Sequence, residues 1–177
     1  MRLGFYEGWL NAEGLRDGTI GLAPLYAVLS FRRQEGDDAY GAVAAKAGRY
    51  AAEWTVESMR PFRRATINRL PAFFRRRVLL GEARSLVRMS YESSRASWQI
   101  RRGQARVTVS GSVFCSVREP ATHPLCGYYA AAYERLLSMF ELPAPVLLES
   151  CRATGESACV LTIPFTQTDT GEAQEAA

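Results

Sequence analysis

The sequence predicts an α+β domain, with an antiparallel sheet of about four strands packed against a layer of four to five helices. Three features carry this reading. Apolar residues recur at three- and four-residue steps through most of the first 85 positions, which is the helical period. From residue 86 the period falls to two, the signature of strands. Residues 145–165 then place two β-branched and apolar runs around Thr154-Gly155-Glu156, the pattern of a hairpin.

Residues 1–18 hold Phe5, Trp9 and Leu10 among glycines and are expected to form an irregular lead-in. Residues 20–31 are apolar nearly all round, which marks a buried helix, with Pro24 suited to its first turn. Gly36 stops that helix, and Asp37 or Asp38 caps a second one reaching about residue 58. Its larger residues Tyr40, Val43, Ala47, Tyr50 and Trp54 are expected to face the core. Ala44, Ala45, Gly48, Ala51 and Ala52 leave little bulk, so another helix, from this chain or a second copy, can approach closely.

Pro61 and Pro71 divide the next stretch into helices of about 61–69 and 71–83. Phe62, Ile67, Leu70, Phe73, Phe74, Val78 and Leu79 are expected inward there, with arginines outward. Strands follow over 86–100 and 106–117, joined through Arg101-Arg102-Gly103-Gln104. Residues 118–124 break the sheet. Residues 125–142 return to the helical period with Tyr129, Ala132 or Tyr133, Leu136, Leu137 and Phe140 inward, and the hairpin adds the last strands. One domain over 1–165 is expected, with 166–177 a frayed tail that has no apolar anchor.

A chain of 177 residues with 47% hydrophobic content suits a single buried core. It has no run of about 18 apolar residues to span a membrane and no secretion signal, so a cytoplasmic protein is expected. Thiols stay reduced in that compartment, and the four cysteines are expected to be buried, metal-bound or reactive rather than paired. The net charge of +4 conceals nine arginines between residues 60 and 88 against one acid, Glu82. A solvated arginine face is the expectation there. Nucleic-acid binding is not expected, because no groove-reading motif accompanies the charge.

If the hairpin loop is residues 154–156, Cys151 faces Cys159, and alternation puts Glu149 on the same side of the sheet. Directly opposed cysteines also permit a Cys151–Cys159 disulfide. Cys126, just before a strongly apolar helix, is a further candidate for the same locus.

The run Pro124-Leu125-Cys126-Gly127-Tyr128-Tyr129-Ala130, a helix, and then residues 149–159, Glu-Ser-Cys-Arg-Ala-Thr-Gly-Glu-Ser-Ala-Cys, resemble the vinyl-4-reductase domain family. That family includes bacteriochlorophyll vinyl-reductase-associated proteins, archaeal hydrocarbon-binding proteins and the sensory domains of aromatic-responsive bacterial activators. The resemblance implies the fold shared with TRAPP vesicle-tethering subunits and haem-nitric oxide-binding domains. It also implies a zinc ion beside a ligand pocket, held at the matching positions Cys126, Glu149, Cys151 and Cys159. The family sets its glutamate three residues before the cysteine. Here Leu148 stands in that place and Glu149 is two before Cys151. The segment Tyr91-Glu92-Ser93-Ser94-Arg95 matches the Tyr-x-Ser-x-Arg signature that grips haem propionates. Haem is nevertheless not expected, since the required upstream axial histidine is absent and His123, the sole histidine, lies downstream.

The resemblance implies a non-catalytic sensory module binding a hydrophobic or aromatic small molecule. Candidate lining residues are Tyr26, Tyr50, Trp54, Phe73, Phe74, Trp98, Tyr128, Tyr129 and Phe140, since such pockets are mostly apolar and aromatic. The alternative is a TRAPP-like interaction scaffold acting as a homodimer or on a partner protein, through the small residues of the second helix and the basic helices after it. An enzyme is not expected, because no nucleophile–base set, phosphate loop or dinucleotide fingerprint occurs.

Overall fold

The computed structural model describes residues 22–34, 36–90, 93–116 and 120–165. The expected lead-in, Tyr91 and the expected tail therefore lie outside the described residues. Five α-helices and four strands occur among them, in the α+β arrangement expected. The chain forms two compact units, Met1–Ala42 and Val43–Ala177.

The described part of the first unit is helix α1 (Leu22–Gln34) and the start of α2 (Asp37–Glu57). Gly36 separates them at φ +116, a left-handed conformation that glycine enters without strain.

Tyr40 is buried as expected. In the second unit, however, α2 buries the opposite face from the one expected. Ala44, Gly48, Ala52 and Val56 point inward, whereas Val43, Ala47, Tyr50 and Trp54 face outward. The physical reason is the proximity of α5 (Gly127–Ser138). A Cβ built on Gly48 would lie 2.1 Å from the Tyr128 carbonyl oxygen and 3.1 Å from the Ala132 nitrogen. Only a glycine permits two helix backbones to meet so closely, so the small-residue stripe forms the contact. The helix that approaches it belongs to this chain. An ion pair from Arg135 to Glu53 at 2.8 Å braces the same crossing.

Pro61 opens α3 (Pro61–Arg69), and Leu70 turns extended before Pro71. Helix α4 (Ala72–Ser90) runs past its expected end, so the strand expected from residue 86 starts only at Arg95. Leu79, Leu80, Ala83, Leu86 and Val87 are all buried and keep the helical stripe going, and this stripe outweighs the short alternating pattern after residue 86. Of the side chains expected inward, Ile67 and Leu79 are buried, but Phe62, Phe73 and Phe74 are exposed.

Strands β1 (Arg95–Arg101), β2 (Gln104–Ser110), β3 (Leu147–Ser150) and β4 (Cys159–Pro164) form one antiparallel sheet in the order β1-β2-β4-β3. The first hairpin turns on Arg102 at φ 50 and Gly103 at φ 75, the two left-handed residues of a tight primed turn. One face carries Ala105, Val107 and Val109 beside Ile163, Leu161 and Cys159, all nearly inaccessible. On the other face β2 carries Arg106 and Thr108, beside Thr162 and Val160 of β4, which are buried. β2 stops at Ser110 rather than near 117, because Gly111 adopts φ +66. A Cβ there would lie 2.5 Å from the Ser93 carbonyl oxygen, and the Gly111 carbonyl accepts a hydrogen bond from the Ser94 hydroxyl at 2.9 Å. The chain thereby leaves the sheet and carries residues 112–115 inward.

Two substitutions separate these roles. Gly48→Ala should destabilise the fold by about 1–3 kcal/mol, because the obstructing atoms are backbone and cannot yield cheaply. Gly81→Ala, with nothing within 4 Å of the added carbon, should stabilise α4 by up to about 1 kcal/mol. Urea unfolding midpoints of the two variants check the opposite signs.

Candidate metal centre and aromatic core

Four sulfur atoms converge beneath the start of α5. Cys126 immediately precedes that helix, Cys151 follows β3, and Cys159 opens β4 opposite Val109. Cys115 comes from the turn that leaves β2, where its backbone N–H donates to the Ser112 carbonyl at 3.3 Å. All four side chains are buried, and their Sγ atoms lie within 4.8 Å of one another. Individual separations are 2.9 Å for Cys126–Cys151, 3.1 Å for Cys115–Cys126, 3.4 Å for Cys115–Cys159 and 3.5 Å for Cys115–Cys151.

The loop between β3 and β4 is built to deliver two of these thiols. Arg152–Thr154 makes a single 3₁₀ turn, Gly155 closes it at φ 95, and the Thr154 hydroxyl donates to the Cys151 carbonyl at 2.8 Å. Backbone N–H groups point at sulfur: Leu125 donates to Cys151 at 3.4 Å and Arg152 donates to Cys159 at 3.5 Å. The acidities of the cluster divide accordingly. Cys151 is held below the ordinary thiol range by hydrogen bonds with Cys115, Cys126 and Cys159, with a further contribution from the Leu125 N–H. Cys159 is lowered by Cys115 and Cys126. Cys126 is pushed up by its contacts with Cys115, Cys151 and Cys159 and by burial. Four buried sulfurs cannot all ionise without a cation among them.

The donor set fits a tetrahedral thiophilic ion. With metal–sulfur bonds of about 2.3 Å, sulfurs around a tetrahedral centre stand about 3.8 Å apart, so these four need only adjustments of about 1 Å to surround one. The backbone N–H groups supply the outer hydrogen bonds that orient such ligands.

Of the metal ligands proposed from the sequence, Cys126, Cys151 and Cys159 come together and Glu149 does not join them. A β-bulge between Leu148 and Ser150 breaks the alternation that would have put Glu149 beside Cys151. Its carboxylate instead accepts the Thr162 hydroxyl and pairs with Arg106 at 3.5 Å. The fourth position in the group belongs to Cys115. Strand alternation does not find it, because the chain leaves β2 at Gly111 and Ser112, Val113, Phe114 and Cys115 are all buried.

The nine residues proposed to line a pocket are placed very differently. Tyr128, Tyr129 and Phe140 are buried, and Trp98 is partly buried on the inner side of β1. Tyr50, Trp54, Phe73 and Phe74 are more than half exposed. Tyr26 belongs to the first unit. Phe114, adjacent to Cys115, stacks on Tyr128 at 4.3 Å between ring centroids and meets Tyr129 edge-on at 5.5 Å. The Ser90 hydroxyl donates to the Tyr128 hydroxyl at 3.3 Å. The Tyr129 and Tyr133 hydroxyls and the Ser112 hydroxyl are buried without a well-formed hydrogen bond among the described residues. Burial pushes both of those phenols above the usual tyrosine range, an effect that the nearby Ser112 and Ser94 hydroxyls moderate at Tyr129. Phe114 and Ser112 are members of the cluster that the sequence reading does not anticipate, and Tyr133, expected inward with Ala132 as its alternative, is not among the lining candidates.

The fold and site define an α+β domain with one four-thiol centre packed against an aromatic cluster. No family model and no curated protein matches the sequence. Solved structures do match, among them the phenol-responsive sensory domain of the transcription activator PoxR, crystallised with phenol. The TM-score is 0.52 at 14% identity, over 81% of this chain and 76% of the other. The likeness is one of fold.

Because all four thiols are inaccessible, a thiol reagent should label none of them rapidly in the native protein and all four after denaturation, as counted by mass spectrometry. Glu149→Gln, at a partly exposed ion pair, should change stability by less than about 1 kcal/mol.

Proposed function

We propose that this chain is a non-catalytic sensory module that binds a small hydrophobic or aromatic molecule beside α5, with a structural zinc ion held by Cys115, Cys126, Cys151 and Cys159. The observation that carries the reading is the burial of four sulfurs within 4.8 Å of one another together with the Phe114–Tyr128–Tyr129 ring cluster, the two being joined where Phe114 adjoins Cys115 and Cys115 acts on Tyr129. Zinc, when bound, would neutralise the thiolates and tie together the β2 exit loop, the start of α5 and the β3–β4 ribbon. Four protein sulfurs leave no open coordination position, which suits a structural ion rather than a catalytic one. A reducing cytoplasmic setting fits the unpaired thiols.

A ligand suited to this core has an aromatic or aliphatic body and one hydrogen-bonding group. Buried hydroxyls without partners cost about 1–3 kcal/mol each, and such a group offers Tyr129, Tyr133 or Ser112 what each lacks. The fold likeness to a phenol-responsive domain supports the same ligand class. The residues closest to this role are Tyr128, Tyr129 and Phe114, with Phe140 and Trp98 as remoter candidates.

An interaction role is the second reading, favoured by the outward stripe of Val43, Tyr50 and Trp54. The small residues of α2 no longer serve it, since α5 fills them. Homodimerisation through the aromatic stripe is compatible with ligand sensing, and light scattering of wild type against Tyr50→Ser/Trp54→Ser tests it. A monomeric wild type would refute the dimer.

Metal analysis of protein purified without added zinc should give about one zinc per chain, with Cys115→Ser markedly depleted and Glu149→Gln unchanged. Full occupancy in Cys115→Ser would overturn the four-thiol assignment. Phenol or a co-purified hydrophobic molecule should raise the unfolding temperature of the wild type and act more weakly on Tyr129→Phe. No thermal shift with any aromatic or acyl ligand, and none co-purified by mass spectrometry, would refute the sensory reading.

A further inference from the structure

We propose that the surface formed by α3 and α4 is an interface for an anionic lipid membrane. The starting point is an anomaly in how these helices are buried. Helix α3 exposes every residue but Ile67, and its Phe62 is 82% accessible. At the start of α4, Phe73 and Phe74 are 51% and 55% accessible. Three phenylalanines left in water on two short neighbouring helices have not been used by the core, although the sequence offers them at core-like spacing.

The charge around them is of one sign. Arg60, Arg64, Arg69, Arg77, Arg84 and Arg88 are exposed, and no ion pair among the described residues engages them. The single acid of the stretch, Glu82, is taken by Arg63. A second copy of this chain seated symmetrically on the face would oppose arginine to arginine, so charge complementarity calls for an anionic occupant.

Shape selects among the anionic occupants. Single-stranded nucleic acid is held by stacking bases on open ring faces. Here the Arg77 guanidinium already lies over the Phe73 ring at 4.6 Å from its centroid, and Phe74 meets that ring at 79° and 5.4 Å. What remains available is ring edges that can enter an acyl region while guanidinium groups engage phosphates, the division of labour in interfacial helices. No helix among the described residues is long and apolar enough to cross a membrane, so the contact would be interfacial.

The test uses the full chain and sedimentation with vesicles of phosphatidylcholine alone or mixed in equal parts with phosphatidylglycerol, at an ionic strength of about 0.15 M. The expected result is at least about tenfold stronger partition onto the mixed vesicles, reduced about tenfold in Phe73→Ser/Phe74→Ser. These side chains are exposed, so the variant should retain the wild-type unfolding midpoint. Phe62→Trp should show fluorescence quenched by brominated acyl chains in the mixed vesicles. Equal partition onto both vesicle types, binding indifferent to loss of the phenylalanines, or an unquenched Phe62→Trp would each overturn the proposal. So would capture of single-stranded RNA or an acidic peptide at this ionic strength without any capture of vesicles. None of these readouts depends on zinc or on the aromatic ligand.

Discussion

The constraint on which the second unit depends is the meeting of four buried sulfur atoms carried by three separate segments. The β2 exit loop, the approach to α5 and the β3–β4 ribbon have no other reason to end at one point, and each is shaped to do so. Gly111 turns the chain off the sheet, Leu125 and Arg152 point their N–H groups at sulfur, and a 3₁₀ turn closed by Gly155 sets Cys151 opposite the start of β4. Uncompensated, such a cluster is electrostatically unfavourable: Cys126 is pushed up by its hydrogen bonds with Cys115, Cys151 and Cys159 and by burial, and Cys115, against a lowering hydrogen bond with Cys126, is pushed up by those with Cys151 and Cys159 and by burial. A cation at the site would offset that cost and join the three segments.

A second close contact works with the first. Gly48 lets the α2 backbone rest against Tyr128 and Ala132, which fixes the first turns of α5. Tyr128 is thereby held between α2, the Phe114 ring and the Ser90 hydroxyl. Cys126 is two residues away, so the helix start is located both by its thiol and by its backbone. Phe114 and Cys115 are adjacent, as are Tyr128 and Tyr129, and the ring cluster and the sulfur cluster therefore cannot move independently.

Much of this is legible in the sequence, and the failures have physical causes. Element type and order can be read because periods of 3.6 and 2 differ clearly over long stretches, as in α2 and in β1–β2. The hairpin signal at Thr154-Gly155-Glu156 correctly places Cys151 and Cys159 together. The buried face of α2 is misread because side-chain size is the usual sign of a core, whereas a close helix crossing selects the smallest residues. Strict alternation puts Glu149 with the thiols, and a single extra residue in β3 is enough to undo that. Cys115 escapes notice when β2 is extended to residue 117, which hides the turn at Gly111 that brings the thiol inward. The arginine-rich helices mislead differently: Phe62, Phe73 and Phe74 have core-like spacing, and spacing alone cannot report that Ile67 is the sole buried anchor of α3.

The hydroxyls follow a logic of their own. A core that buries Tyr129, Tyr133 and Ser112 with no well-formed hydrogen bond to their oxygens among the described residues gives up stability that phenylalanine and alanine would retain. The neighbouring hydroxyls show that the fold is able to satisfy such groups. Ser94 bonds to the Gly111 carbonyl, and Ser90 bonds to Leu86 and Tyr128. The unsatisfied oxygens are therefore local, and Ser112 and Cys115 share one turn through the Cys115 N–H bond. Anything that hydrogen-bonds to Ser112 would act on the same short segment that supplies the fourth sulfur. Occupancy of the aromatic core would in this way be linked to the geometry of the thiol centre by a single turn of backbone.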